Sequence, residues 1–440
     1  MPHTMPSTSS PAPVIVTRRE IERLLLHERA ESAIHESARQ RSELEQAQAM
    51  AMTGAILREL QKSENNQGTD RVLVAAQHGP TSRLQSLIAS GEAGQLSLEP
   101  MPAGGLEAKF DTQDWPGWAT VAWAKLKNPK PHPLIRPPQS SPRPLPSHGR
   151  IGLLGDWGTG LYGAPKIAET IRKDRDPFAM LMHLGDVYYA GAANEIRERF
   201  LSLWPMRPEA IHRALNGNHE MYSGGKFYFE SILPTFHQDA SYFFHQNADW
   251  TLVGLDVAHT DHAIDDEQVR WLEGVLEKAG DRKVVLFSHH QLFSSYEVQG
   301  VKLWENRRFA SVLKSKRVFA WYWGHEHRCS IYEERDTASG LWGRCVGHGG
   351  MPESRKKTLG LPQAIGYSKA DWRQVPAKVD GLGVCVAPPS LVLEGPNPYI
   401  SGEEEEFTPH GYAILTLDGS HLIEQVLDPD GSVIYEHQLA

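Results

Sequence analysis

Cysteine is nearly absent from the chain, with three residues in 440 (Cys329, Cys345 and Cys385). Three thiols so placed give neither a disulfide framework nor a cysteine-based zinc site, and they imply a reducing compartment. An apolar signal core is also missing, since residues 1–17 are rich in Ser, Pro and Thr. No apolar run approaches membrane-spanning length, so the expectation is a cytoplasmic chain without a membrane span. Excess positive charge is lacking too: the net charge of −9 argues against general binding to nucleic acid or anionic membranes. Neither a P-loop nor a nucleophilic-serine motif is present. What remains is an ordinary globular composition, 22% charged and 40% hydrophobic, with length enough for two domains and a sizeable core.

Composition divides the chain. Residues 1–16 read as a disordered tail. Thr17 with Glu20 three residues later makes a capping-box start, and the Pro-free stretch that follows to about Ser63 reads as one long helix or two broken near Gly54. Residues 17–126 are therefore expected to be largely helical, suited either to docking on the rest of the chain or to self-association. Proline crowds residues 127–148, an extended linker by composition. From 149 to 440 strands and helices alternate, which implies right-handed crossovers and mixed sheets with functional groups at strand C-termini. Residues 352–408 break that rhythm with prolines, glycines and the run Glu403–Glu406. So long an irregular insertion reads as a lid or substrate wall. Three alternating segments at 412–417, 422–427 and 433–437, separated by Asp-Gly turns, read as a closing meander.

Five apolar runs end in metal-ligand chemistry. Ile151–Gly155 leads to Asp156, Phe178–Met182 to Gly185-Asp186, and Ile211–Leu215 to Gly217-Asn218-His219-Glu220. Val284–Ser288 leads to His289-His290, and Val318–Trp323 to Gly324-His325-Glu326-His327. Carboxylate, amide and imidazole are hard or borderline ligands. Two cations about 3.5–4 Å apart need a shared two-oxygen ligand. Asp186 suits that bridge, with Asp156 serving one metal and Asn218 the other.

The ordered set Asp, Gly-Asp, Gly-Asn-His, His, Gly-His-x-His resembles the metallophosphoesterase (calcineurin-like phosphoesterase) superfamily over roughly residues 149–350. Gly158 stands where many of its members carry a histidine, and Tyr189 lies three residues beyond Asp186. That combination resembles the purple acid phosphatase branch, where such a tyrosine is a phenolate ligand of ferric iron. The resemblance implies a β-sandwich of two mixed sheets flanked by helices. It also implies two metal ions, Fe(III) at Asp156, Asp186, Tyr189 and His327, and a divalent Fe, Zn or Mn at Asp186, Asn218, His289 and His325. The residues themselves do not separate His289 from His290; the resemblance favours His289.

His219 is implied as the phosphate-contacting acid, with Glu220 a candidate to orient it. The histidine pair that plant purple acid phosphatases place beyond the His ligand is replaced by Val298 and Gln299. His237, His245, His259, His262 and His348 are candidate substitutes, His348 preferred. The implied reaction is hydrolysis of a small phosphate ester, a monoester, by a metal-activated hydroxide, with Asp186 and His219 as catalytic residues. Alternatives are a phosphodiesterase on nucleotides or lipid headgroups with the same site, and a phosphate-binding scaffold whose role lies in the N-terminal region.

Overall fold

The computed structural model describes residues 130–137, 142–296, 300–379, 386–400 and 404–440, plus three short strands before them. The chain divides into two units, Met1–Lys127 and Asn128–Ala440. In the first, β1 (Val14–Ile15) runs parallel to β3 (Leu106–Lys109), which pairs antiparallel with β2 (Ser97–Pro100). The expected long helix lies outside the described residues.

The second unit begins with β4 (Arg143–Pro144), then β5 (His148–Leu154), helix α1 (Gly163–Lys173), β6 (Phe178–His183), the wide-turned helix α2 (Glu195–Leu201) and β7 (Ile211–Ala214). β8 (Phe243–Gln246), β9 (Trp250–Gly254), α3 (Asp266–Ala279) and β10 (Lys283–Ser288) follow, then α4 (Val301–Glu305), α5 (Arg307–Lys314) and β11 (Val318–Trp323). The strands β12 (Cys329–Tyr332), β13 (Trp342–Val346), β14 (Asp371–Val375), β15 (Lys378–Val379), β16 (Val386–Ala387), β17 (Ser390–Glu394), β18 (Tyr412–Asp418), β19 (His421–Leu427) and β20 (Val433–Gln438) complete the unit, with one short helical turn at Arg355–Lys357.

Local chemistry sets several of these bounds. Asp265 Oδ1 accepts from the Glu267 and Gln268 N–H groups at the start of α3, and acidic Asp266 and Glu267 suit the positive end of the helix dipole. Asn306 separates α4 from α5. Its extended backbone ends α4 while its Oδ1 accepts from Arg308 and Phe309 N–H and starts α5.

Two mixed sheets form the body. One has the order β20-β19-β18-β5-β6-β7, the other β14-β17-β12-β13-β11-β10-β9-β8-β4. β5, β6 and β7 pair in parallel, as do β9, β10, β11 and β13. Between the sheets lies a core of Ile151, Leu153, Met180 and Met182 with Val285, Phe287, Ala320 and Tyr322. Helices cover both outer faces: Ile167 and Ile171 of α1 with Phe200 of α2 on one side, Leu272 of α3 and Phe309 of α5 on the other. The expected two-sheet sandwich flanked by helices is thus the fold observed. Among the described residues no helix is long and apolar enough to cross a membrane.

Two stretches differ from their sequence reading. The described part of the proline-rich segment, residues 130–137 and 142–148, packs on the rest of the second unit rather than hanging free. Leu145 is buried between the sheets and its N–H donates to Gln246 O (2.9 Å), Leu134 and Ile135 pack beside α2, and Arg136 pairs with Asp265 (3.1 Å) and Glu267 (3.2 Å). Residues 352–408, read as an irregular insertion, supply β14 and β17, which extend the larger sheet beyond β12. The apolar Trp372, Leu391 and Leu393 drive that addition by packing on Ile331 and Tyr435.

Candidate metal centre

Each chemistry-bearing residue stands just past the C-terminal end of a parallel strand: Asp156 after β5, Asp186 after β6, Asn218 after β7, His289 after β10, His325 and His327 after β11. Four of them, Asp156 (φ 55°), Asp186 (φ 75°), His325 (φ 71°) and His327 (φ 51°), hold left-handed backbone conformations. Non-glycine residues rarely take that conformation, and its concentration here marks a site the surrounding fold over-determines. Gly217 must stay small, because a Cβ there would lie 2.2 Å from Asp186 Oδ1. At Gly158 (φ 67°) a Cβ would meet the Met351 backbone at 3.1 Å, so any side chain there would sit in a strained conformation and need that backbone to give by a few tenths of an ångström.

These side chains converge. Asp186 Oδ1 lies 3.2 Å from His289 Nε2 and accepts from His219 N–H at 3.0 Å. Asn218 Oδ1 lies 2.9 Å from His289 Nε2 and 3.0 Å from His325 Nδ1. On the other flank the Tyr188 phenol faces Asp186 Oδ2 at 3.4 Å, and His327 Nε2 lies 3.7 Å from Asp156 Oδ1. Two triads, Asp186–His289–His325 and Asp156–Asp186–His327, each bring ligand atoms within 4.8 Å of one another, and Asp186 belongs to both. A third group, His262–His290–His325, adjoins them.

The donor set fits cations. Burial and the neighbouring Asp186 push Asp156 well above the usual carboxylate range, and its Oδ1 is buried without a hydrogen-bond partner. Burial would raise Asp186 as well, but His289, His219 and His325 outweigh it and hold the group ionised. Two acidic groups so near each other, with an orphaned oxygen between imidazoles, are the arrangement positive charge relieves. His289 Nδ1 is committed to Leu184 O (2.9 Å), which turns its Nε2 lone pair inward. His290 instead gives Nδ1 to Val257 O (3.1 Å) and groups with His262 and His325, whereas His289 Nε2 faces Asp186 Oδ1.

Three sequence expectations change. The phenol that reaches the cluster belongs to Tyr188, whose oxygen is 2.5 Å from His327 Nε2. Tyr189 points toward Arg199 and Glu195, its phenol pushed up to about 12 by burial. Glu220 does not orient His219; its carboxylate accepts from the Asp186, Val187 and Gly217 N–H groups at 3.1, 3.1 and 3.2 Å and so fixes the Asp186 turn. His219 is held by Tyr189 O at 2.6 Å from Nδ1 and stacks on Tyr188, leaving a buried, unpartnered Nε2. Burial lowers that imidazole to about 4. His348 does not reach the cluster: its ring lies against Gly411 and responds to His410, and burial lowers it to about 3. Of the other candidate histidines, His245 accepts from Arg213 and His259 contacts His132 O, while His262 adjoins His325. Glu195, which sequence reasoning passed over, accepts from Tyr189, Ala190 and Ala192 N–H and anchors the loop after Asp186.

Residues 149–329 match the family model of the calcineurin-like phosphoesterases. The chain carries a calcineurin-like phosphoesterase domain. Both acid–imidazole triads fall within those residues. No curated protein sequence matches it. Among solved structures, the phosphoesterase domain is similar to a purple acid phosphatase from yellow lupin (Lupinus luteus) seeds, at 15% identity over 69% of this chain and 55% of that one, with a TM-score of 0.45. The chain thus spans about half the length of the lupin protein. A dimetal phosphatase from Danio rerio is 15% identical over 66% of this chain and 98% of that one, with a TM-score of 0.38.

Proposed function

We propose that the phosphoesterase domain hydrolyses small phosphate monoesters at a dinuclear centre of the purple acid phosphatase kind. The supporting observation is the placement of Asp186, whose Oδ1 faces His289 while its Oδ2 faces Tyr188. A carboxylate turned to both flanks is the ligand a cation pair shares. Asp156, Asp186, Tyr188 and His327 would hold the ferric ion, and Asp186, Asn218, His289 and His325 the divalent one. Tyr188 takes the place the sequence pattern gives to Tyr189. Cations there would supply a Lewis-acid clamp on the phosphoryl oxygens and an acidified water.

The chain's own groups complete the reading. Glu220 and Glu195 fix the turn that carries Asp186, so the shared carboxylate is pre-positioned rather than recruited. His219 would carry a proton to the leaving oxygen through Nε2, 3.9 Å from Asp186 Oδ2, a reading supported by the hold of Tyr189 O on its Nδ1. The scarcity of cysteine supports a cytoplasmic location, and residues 17–126 would serve docking or self-association, the latter tested by light scattering. Hydrolysis of p-nitrophenyl phosphate against bis(p-nitrophenyl) phosphate, with metal content measured on the same sample, tests the function. Faster turnover of the diester would replace the monoesterase reading with a phosphodiesterase one, and no turnover of either would reject both.

A further inference from the structure

The loop after β9 is not one of the five strand ends that build the cluster, yet it delivers another imidazole to it. Asp261 (φ 30°) and His262 (φ 62°) both hold left-handed conformations in that loop. Hydrogen bonds from Asp261 N–H to Ala258 O (3.1 Å) and from Ala263 N–H to Thr260 O (3.0 Å) close the turn. Two such residues in succession are costly, and they persist where the surroundings fix them.

His262 is placed at both ends. Its Nδ1–H donates to Asp261 Oδ1 at 2.7 Å, and Asp261 Oδ2 accepts from Lys302 at 2.9 Å. The Nε2 of His262 is then a lone pair, and it lies 3.4 Å from His325 Nε2. His325 turns its Nδ1 to Asn218 Oδ1 (3.0 Å) and His289 Nε2 (3.3 Å), so its own proton belongs on Nε2, aimed at His262. His290 stacks on the His262 ring at 3.6 Å between centroids and is itself pinned by Val257 O. All three imidazoles are buried.

We infer that His262 is a positioning residue: by accepting from His325 Nε2–H it holds that imidazole in the tautomer and orientation that present Nδ1 to the cation of Asp186, Asn218 and His289. Lys302, Asp261 and His262 form a relay from the surface to that one flank of the site. Among the described residues no hydrogen bond or ring contact links His262 to Asp156, Tyr188 or His327. The inference rests on the dinuclear reading above and narrows it, because His262 serves one cation of the two.

Outer hydrogen-bond partners of ligating histidines are worth about 10–100-fold in metal affinity. The full-length protein, stripped and reloaded with Zn²⁺ against a chromophoric chelator, should bind two equivalents. His262→Ala should weaken one equivalent by about 10–100-fold and leave the other at wild-type affinity. His262→Gln, whose amide oxygen can accept the same hydrogen bond, should recover most of the loss, a rescue that a merely structural role would not give. Asp261→Asn keeps the ring in place and should weaken the same equivalent, which preserves the test should His262→Ala not fold. Wild-type affinity for both equivalents in His262→Ala or in Asp261→Asn, or equal losses in Ala and Gln, would overturn the inference while leaving the dinuclear site intact. A wild type that binds no cation would overturn the site itself.

Discussion

The Tyr188 phenol oxygen stands 2.5 Å from His327 Nε2, and the same oxygen faces Asp186 Oδ2 at 3.4 Å. Burial, with Asp186 and Asp156 beside it, pushes that phenol well above its ordinary range. Ionising it near neutral pH requires a strongly Lewis-acidic cation.

Iron-loaded protein is therefore expected to absorb in the visible through phenolate-to-Fe(III) charge transfer. Tyr188→Phe should abolish the band and Tyr189→Phe should keep it. A band that survives in Tyr188→Phe, or disappears only in Tyr189→Phe, returns the ligand role to Tyr189. A colourless iron-loaded wild type removes the ferric reading and leaves a pair of other cations.

His348 gives a prediction of the opposite kind. Both its ring nitrogens are buried without partners, and its pKa is lowered to about 3 by burial and then by His410. A neutral ring is favoured in the folded state, so its contribution is complete above the unfolded value near 6.5 and is lost as pH falls toward 3. His348→Leu should keep wild-type hydrolysis at neutral pH and melt higher than wild type by a margin that widens from pH 6.5 downward. Loss of turnover with the fold intact would restore His348 to the substrate site.

The two sheets are joined by a buried ion pair. Arg344 of β13 donates to Glu424 of β19 through Nε and Nη2 at 2.7–2.9 Å, and the Tyr322 hydroxyl donates to the same carboxylate at 2.8 Å. Glu424→Gln leaves a buried guanidinium without its counter-charge and should cost about 3–5 kcal/mol of unfolding free energy. Arg344→Met/Glu424→Leu should recover most of that loss in denaturant melts. If the double variant is no better than the single, the pair does more than balance charge.

The strap formed by residues 130–137 and 142–145 sets where the phosphoesterase domain can be cut. A chain starting at Asn128 keeps Leu145 and the Arg136–Asp265 pair and should fold and bind metal. A chain starting at Ser147 loses both and should be less stable by thermal melt. Equal melting temperatures would mean that the strap is only laid on the surface.

How far the sequence could be read differs by residue. The strand-end positions of Asp156, Asp186, Asn218, the His289–His290 pair, His325 and His327 were legible because buried parallel strands write themselves as apolar runs. Tyr188 was not, because which of two adjacent tyrosines faces inward depends on backbone torsions that spacing does not encode. Nor was His262, 63 residues from the His325 it touches and carried by a left-handed turn formed by Asp261 and His262 rather than by glycine. Proline density hid the strap, since its anchors are only a few apolar side chains, Leu134, Ile135 and Leu145, among many residues without a period.

The central claim is that Asp186 is shared by two cations that the hydrolysis requires. Asp186→Asn keeps the volume and the contacts of one oxygen but removes the charge and the second oxygen. Metal content and p-nitrophenyl phosphate turnover on the folded variant test the claim most directly. The account predicts loss of at least one equivalent of metal and a fall in kcat of about a thousandfold or more, on the scale of removing a main electrostatic stabiliser. Two full equivalents of metal with near-normal turnover would contradict it.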